Sequence, residues 1–90
     1  MSEVRDNKGE SRFELEEEGA LAFASYDLSG DTISFTHTIV PEEVEGRGVG
    51  SRLIKGALDD ARERGLKVVP ICSFVRTYIE RHPEMQDLVG

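Results

Sequence analysis

The chain reads as one α+β domain in the order β-β-β-α-β-α, with helices packed on a mostly antiparallel sheet that contains one parallel pair. Three observations predict this class. Three runs of alternating apolar and polar residues follow one another across short turns. A glycine-rich segment, Gly46-Arg47-Gly48-Val49-Gly50, then changes the apolar period from two to nearly four. A short β-branched run and a second helical pattern complete the order.

Residues 1–10 are polar and mixed in charge, and read as a lead-in to a single domain over 11–90. Arg12 to Glu16 puts Phe13 and Leu15 on one face and reads as a strand. Glu18-Gly19 turns the chain into a second strand, Ala20 to Leu28, where Ala20, Ala22, Ala24 and Tyr26 alternate with Leu21, Phe23 and Ser25. After Ser29-Gly30-Asp31 comes Thr32 to Val40. There Ile33, Phe35, His37 and Ile39 are expected on one face, with Ser34, Thr36, Thr38 and Val40 on the other. Pro41 stops that strand because it has no N–H for the ladder.

Val49, Leu53, Ala57 and Ala61 recur every four residues, joined by Ile54 and Leu58, which predicts an amphipathic helix of roughly four turns. Gly65 is placed to end it. Leu66 to Ile71 reads as a buried strand, parallel to the third and joined to it by a right-handed crossover. Ser73 is expected to cap a second helix with Phe74–Tyr78 and Val75–Ile79 as stacked pairs. Pro83 stops it, and Met85, Leu88 and Val89 form a short apolar tail expected to fold back on the body.

Ninety residues suffice for one small core. The net charge of −7 is uneven: residues 1–45 carry 12 acidic and 3 basic side chains, residues 46–90 carry 6 and 8. An acidic chain argues against general nucleic-acid binding, which rests on phosphate neutralisation. The basic excess begins at the glycine segment, where it suits a single phosphorylated ligand. One cysteine, Cys72, excludes an internal disulfide and a cysteine-rich zinc site, and His37 and His82 lack metal-ligand spacing, so no metal is expected. No run has the length of a membrane span and the N-terminus is unlike a signal peptide. No membrane partner is expected, and a cytoplasmic location is.

The segment Glu45-Gly46-Arg47-Gly48-Val49-Gly50-Ser51-Arg52 carries the chemistry. Alternate glycines leave backbone N–H groups uncovered at a helix N-terminus, and Arg47 and Arg52 add full charges, a combination suited to a pyrophosphate. A dinucleotide fingerprint would need G-x-G-x-x-G and an acidic residue closing the next strand, and a P-loop would need Gly-Lys-Ser/Thr. Neither is present. A ligand-free, glycine-rich turn that merely caps a helix is the plainer alternative.

The whole chain resembles the small YjdJ-type (NATD1-like) N-acetyltransferase family, a miniature branch of the GNAT superfamily. The matching pieces are Arg12-Phe13-Glu14-Leu15, His37-Thr38-x-Val40-Pro41, Glu45 to Gly50, Pro70-x-Cys72-Ser73-Phe74-Val75, and Tyr78 with Arg81-His82-Pro83-Glu84. They stand in order over about residues 12–89. The superfamily loop, Q/R-x-x-G-x-G/A, opens on Gln or Arg, whereas this chain has Glu45, which leaves more of the phosphate to Arg47.

The resemblance implies a minimal GNAT-like fold and acetyl-CoA as co-substrate. Pantetheine would lie between two splayed parallel strands, against the backbone of Ile39 and Val40 on one side and the end of the Leu66–Ile71 strand on the other. Pyrophosphate would sit on the N–H groups of Arg47, Gly48, Val49, Gly50 and Ser51, and Cys72, Ser73 and Phe74 would border the cofactor. Arg52 and Lys55 either reach the 3′-phosphate or are ordinary solvated residues. The acceptor is an unidentified amine, and an open acceptor groove suits either a monomer or a homodimer.

Three residues are candidates for the chemistry. His37, two residues before the pantetheine-binding backbone, has an imidazole able to take the amine's proton, or is a histidine held within the sheet. Cys72 precedes a helix, a setting that favours the thiolate. It accepts the acetyl group transiently, contacts the thioester, or is a small buried hydrophobe. Tyr78 protonates the departing thiolate or packs in the core with its hydroxyl at the rim. Direct attack in a ternary complex is the expected mechanism, and a coenzyme A-binding module without turnover is the competing reading.

Overall fold

The structure, a computed structural model, describes residues 3–90. Met1 and Ser2, the start of the expected lead-in, lie outside the described residues. Five strands form one sheet in sequence order: β1 (Arg5–Asn7), β2 (Arg12–Glu17), β3 (Ala20–Ser29), β4 (Thr32–Ile39) and β5 (Lys67–Pro70). The first four pair antiparallel and β5 joins β4 in parallel. Helix α1 (Val49–Glu63) makes the crossover, and α2 (Ser73–Arg81) follows β5.

The alternation in β2 and β3 is a packing pattern. Phe13, Leu15, Ala22, Ala24 and Tyr26 are buried, and they meet Leu53, Ile54, Ala57, Leu58 and Ala61 of α1 in one core. Val75, Tyr78 and Ile79 of α2 join the same core. The tail folds back as expected: Met85 and Leu88 are buried, and Val89 bridges to Val68 beside β5.

Two features of the sheet depart from the sequence-based expectation. Arg5–Asn7 is a strand within the polar lead-in, antiparallel to β2. Polar contacts hold it. The Glu14 carboxylate accepts from Arg5 Nε (3.0 Å), Asn7 Nδ2 (2.9 Å) and Arg12 Nε (2.7 Å). The Tyr26 hydroxyl donates to Asp6 at 2.6 Å. The second departure is a β-bulge in β4. Tyr26 pairs with Phe35 but Ser25 pairs with His37, so Thr36 is an extra residue. Beyond a bulge the alternation changes phase. Thr38, opposite buried Ala24, now faces the helices, while His37 and Ile39 turn to the other face. The expected single row Ile33-Phe35-His37-Ile39 is therefore broken at Thr36.

Candidate active site

The site begins where two strands separate. β4 and β5 pair only from Thr32–Lys67 to Phe35–Pro70. The Cys72 N–H donates to Phe35 O at 2.9 Å, the last bond of that seam. From there β4 continues to Ile39 without a neighbour on its β5 side, while the chain after Pro70 turns into α2. Pro70 and the bulge at Thr36 stand on either side of this parting, and both interrupt regular pairing.

The glycine segment lies at the mouth of the gap. Gly46 and Gly48 have φ of +82° and +73°, the left-handed region that penalises a Cβ. Gly48 is the N-cap of α1 and offers no side chain to its N–H groups, and the first turn holds no acidic residue. The N–H groups of the first helical residues are thus open to an anion. Gly50 serves another purpose: a Cβ there would stand 2.5 Å from the ring of Phe74, so its smallness lets α2 approach α1. Val44, buried at 1% exposure, anchors the 3₁₀ turn Glu42–Val44 that leads into the loop.

A cleft of about 440 Å³ joins these parts, bordered by Thr38 of the separated strand, Val40 just beyond it, Glu45, Gly46 and Gly48 to Ser51 of the loop, and Phe74. The residues present fit a pantetheine-pyrophosphate ligand: an unpaired strand edge for amide groups, uncapped helix N–H groups for phosphate, and open space over Gly46 and Gly48.

The expected binding residues fall into two groups. Val40, Gly48, Val49, Gly50, Ser51 and Phe74 border this cleft. Ser73 opens a neighbouring cleft, Cys72 sits at the seam, and Ile39 points to the outer face. Arg47 forms an ion pair with Glu18, both side chains being exposed. An exposed pair of this kind is worth under about 1 kcal/mol, so a phosphate can replace the carboxylate. Arg52 is bound by Glu3 at 2.7 Å and Glu17 at 3.1 Å, and Lys55 by Asp59 at 2.8 Å. These pairs too lie at the surface.

The three candidates for chemistry do not converge. Cys72, 8% exposed, is the N-cap of α2, displacing Ser73 from the capping position expected for it. Its Sγ lies 3.4 Å from Thr38 Oγ1. Burial pushes the thiol up, but the Thr38 contact and the N–H groups of Val75 and Phe74 outweigh it and bring the thiol below its ordinary range. His37 occupies the opposite sheet face, edge-on to Phe23 with ring centroids 6.4 Å apart and Nδ1 3.4 Å from the Thr36 hydroxyl. Tyr78 stands six residues along α2 from Cys72, about 9 Å of helix rise, and its ring stacks on His82 at 3.8 Å. Burial raises its phenol. Thr38 is the cleft residue whose face periodicity did not reveal. Only the bulge turns it toward Cys72, and no local signal in the sequence announced the bulge.

Among the described residues, no group of three or more His, Cys, Asp or Glu is placed to hold a metal, and no helix is long and apolar enough to cross a membrane.

A family model described as GCN5-related N-acetyl-transferase matches residues 12–88. Proteins called NATD1 from Homo sapiens and Gallus gallus are each 36% identical over 64 residues, covering 70% of this chain and 57% and 58% of theirs. The Xenopus tropicalis protein of that name is 35% identical over 57 residues, 63% of this chain and 52% of its own. The chain thus spans little more than half the length of these curated relatives. The solution structure of a GCN5-like candidate N-acetyltransferase from Staphylococcus aureus is similar over 100% of this chain and 91% of that one, with a TM-score of 0.74 and 34% identity.

Proposed function

Because this chain belongs to the GCN5-related N-acetyltransferase family, we propose that it moves an acetyl group from acetyl-CoA to a primary amine by direct attack in a ternary complex. One observation carries the reading: a single cleft connects the uncapped N-terminus of α1 to the parting of β4 and β5. The helix end and Arg47 hold the pyrophosphate. The free edge of β4 takes the pantetheine amides as an added strand. This brings the thioester to Thr38 and Cys72.

The amine nitrogen bonds to the carbonyl carbon, the carbon–sulfur bond breaks, and the thiolate leaves with the electron pair. Negative charge on the carbonyl oxygen is met by a β4 N–H, a contribution on the order of 3 kcal/mol. The acceptor arrives from the outer face, where His37 takes its proton. Thr38 and Cys72 border the sulfur. The negative surface, with Glu42, Glu43 and Glu45 around the loop, favours a cationic acceptor such as a polyamine or a protein lysine or N-terminus.

Calorimetric titration with acetyl-CoA and CoA tests the first half, with Gly48→Asp as the control that fills the anion socket. Saturable binding lost in the variant is expected, and no binding at millimolar ligand refutes the proposal. Thiol release across an amine panel tests the second half. Cys72→Ala should retain turnover under direct attack, and complete loss would support acetyl transfer through the cysteine instead. A second reading, a coenzyme A-binding module without turnover, is favoured by Glu45 in the cleft where the superfamily loop opens on Gln or Arg. Slow thiol release indifferent to the amine would decide for it.

A further inference from the structure

The bulge in β4 does more than turn Thr38 toward the helices. It adds Thr36, a residue outside the β3–β4 register, and a bulge re-aims the side chains beside it. The Thr36 hydroxyl lies between two groups. Its Oγ1 is 3.3 Å from Ser25 O and 3.4 Å from His37 Nδ1. A hydroxyl has one proton to donate and lone pairs with which to accept. The Ser25 carbonyl oxygen can only accept, so the Thr36 proton goes there. Toward His37 the hydroxyl is left as an acceptor. A neutral imidazole meets it only by carrying its proton on Nδ1, and Nε2 then holds the free lone pair.

The ring is held from a second side. Phe23 meets His37 at 77° between planes with centroids 6.4 Å apart. The Arg12 guanidinium lies over the Phe23 ring at 4.5 Å and is itself bonded to Glu14 at 2.7 Å. His37 is exposed, so a proton taken by the imidazole can pass on to water.

We infer that Thr36 is the positioning residue for His37: it selects the Nδ1–H tautomer and thereby presents Nε2 as the proton acceptor for the amine. The use of that lone pair rests on the proposed function, whereas the tautomer does not. The amine's proton moves to Nε2, and the ring becomes an imidazolium with N–H on both nitrogens. Thr36 still accepts from Nδ1–H, now in a charge-assisted bond. The imidazolium returns the proton from Nε2 to water, which restores the starting tautomer. Both Thr36 contacts are longer than the commonest hydrogen bonds, so the expected bias toward Nδ1–H is severalfold.

Long-range proton–nitrogen NMR of the full chain, in alkaline buffer where imidazole is neutral, reads the tautomer of each histidine. His82 provides the reference: its Nδ1 lies 2.7 Å from Tyr78 O, an acceptor only, and must carry the proton. His37 should show the same pattern. Thr36→Val, which keeps the branched shape and removes the hydroxyl, should shift His37 toward Nε2–H without changing His82, and Thr36→Ser should preserve the wild-type pattern. A wild-type His37 in the Nε2–H form, or a Thr36→Val spectrum that matches wild type, overturns the inference. In amine-dependent turnover Thr36→Val should lower kcat severalfold at unchanged KM for acetyl-CoA, with Thr36→Ser close to wild type. A Thr36→Val protein that loses the tautomer yet turns over normally overturns the positioning role. A wild-type chain without turnover overturns the proposed function, and the tautomer spectra still decide what Thr36 does to His37. Circular dichroism verifies that both variants are folded.

Discussion

Replacing Gly50 with alanine sets two known effects against each other. Gly50 lies in the first turn of α1, where alanine is favoured by up to about 1 kcal/mol. The new Cβ would stand 2.5 Å from Phe74 Cζ and 3.2 Å from both Cε atoms. Carbon contacts are comfortable from about 3.5 Å, so the ring must withdraw by about 1 Å or swing away. Phe74 is 41% exposed. It therefore has part of a full burial contribution of about 1.5–3 kcal/mol to lose, roughly 1 kcal/mol. Gly50→Ala alone should leave stability within about 0.5 kcal/mol of wild type. In a Phe74→Ala background the obstruction is gone, and the same substitution should stabilise by nearly the whole helix preference. Urea unfolding of the four proteins gives a coupling of about 1 kcal/mol. An equal effect of Gly50→Ala in both backgrounds would refute the contact. Calorimetry on the single variant should show coenzyme affinity falling severalfold, because the displaced ring moves within the groove.

Gly48→Ala adds a Cβ that meets nothing within 4 Å, so its cost is backbone strain alone, about 1–2 kcal/mol. Thermal unfolding should shift down by roughly 5–10 °C, and Gly48→Asn, which tolerates positive φ, should cost less; equal losses would count against the strain. The Glu14 carboxylate is held below its usual range by Asn7 first, then by Arg12 and Arg5 against the opposing effect of burial. Its share of stability is complete above the unfolded value near 4.5 and is lost as pH falls through the lower folded value. Glu14→Gln should cost about 1–3 kcal/mol at neutral pH and flatten the acid limb of unfolding; a limb that matches wild type refutes this. Burial, then the bond to Asp6, pushes the Tyr26 phenol up to about 12. The neutral ring's contribution is complete below pH 10 and is lost as pH rises toward 12, so Tyr26→Phe should remove that alkaline decline. Thr38→Val removes a partner of the Cys72 thiol, so the pH midpoint of Cys72 alkylation should rise, and an unmoved midpoint would separate the two groups.

How much of the site was legible depended on the range of the interactions involved. The loop was visible because its demands are local: positive φ at Gly46 and Gly48, and uncapped N–H groups at the start of a helix. The chemistry around it was not. Arg52 reads as a cation for the phosphate, and the fold sets Glu3 and Glu17 beside it from distant parts of the chain.

The sequence by itself determined β2 to β5, the two α-helices and their order, because alternation in β2 and β3 and the four-residue period of α1 record which side of each element leaves water. It also marked the glycine segment as the candidate anion site. Tertiary structure alone decided what stands around that segment. The strand β1 has no apolar alternation, and Glu14, Tyr26 and Arg64 bring the partners that hold Arg5, Asp6 and Asn7. The bulge at Thr36 arises from pairing with β3, and it reverses the faces of His37 and Thr38. A one-residue slip in a ladder reassigns every side chain beyond it, so the contact between Thr38 and Cys72, 34 residues apart, follows from register, which local sequence does not contain.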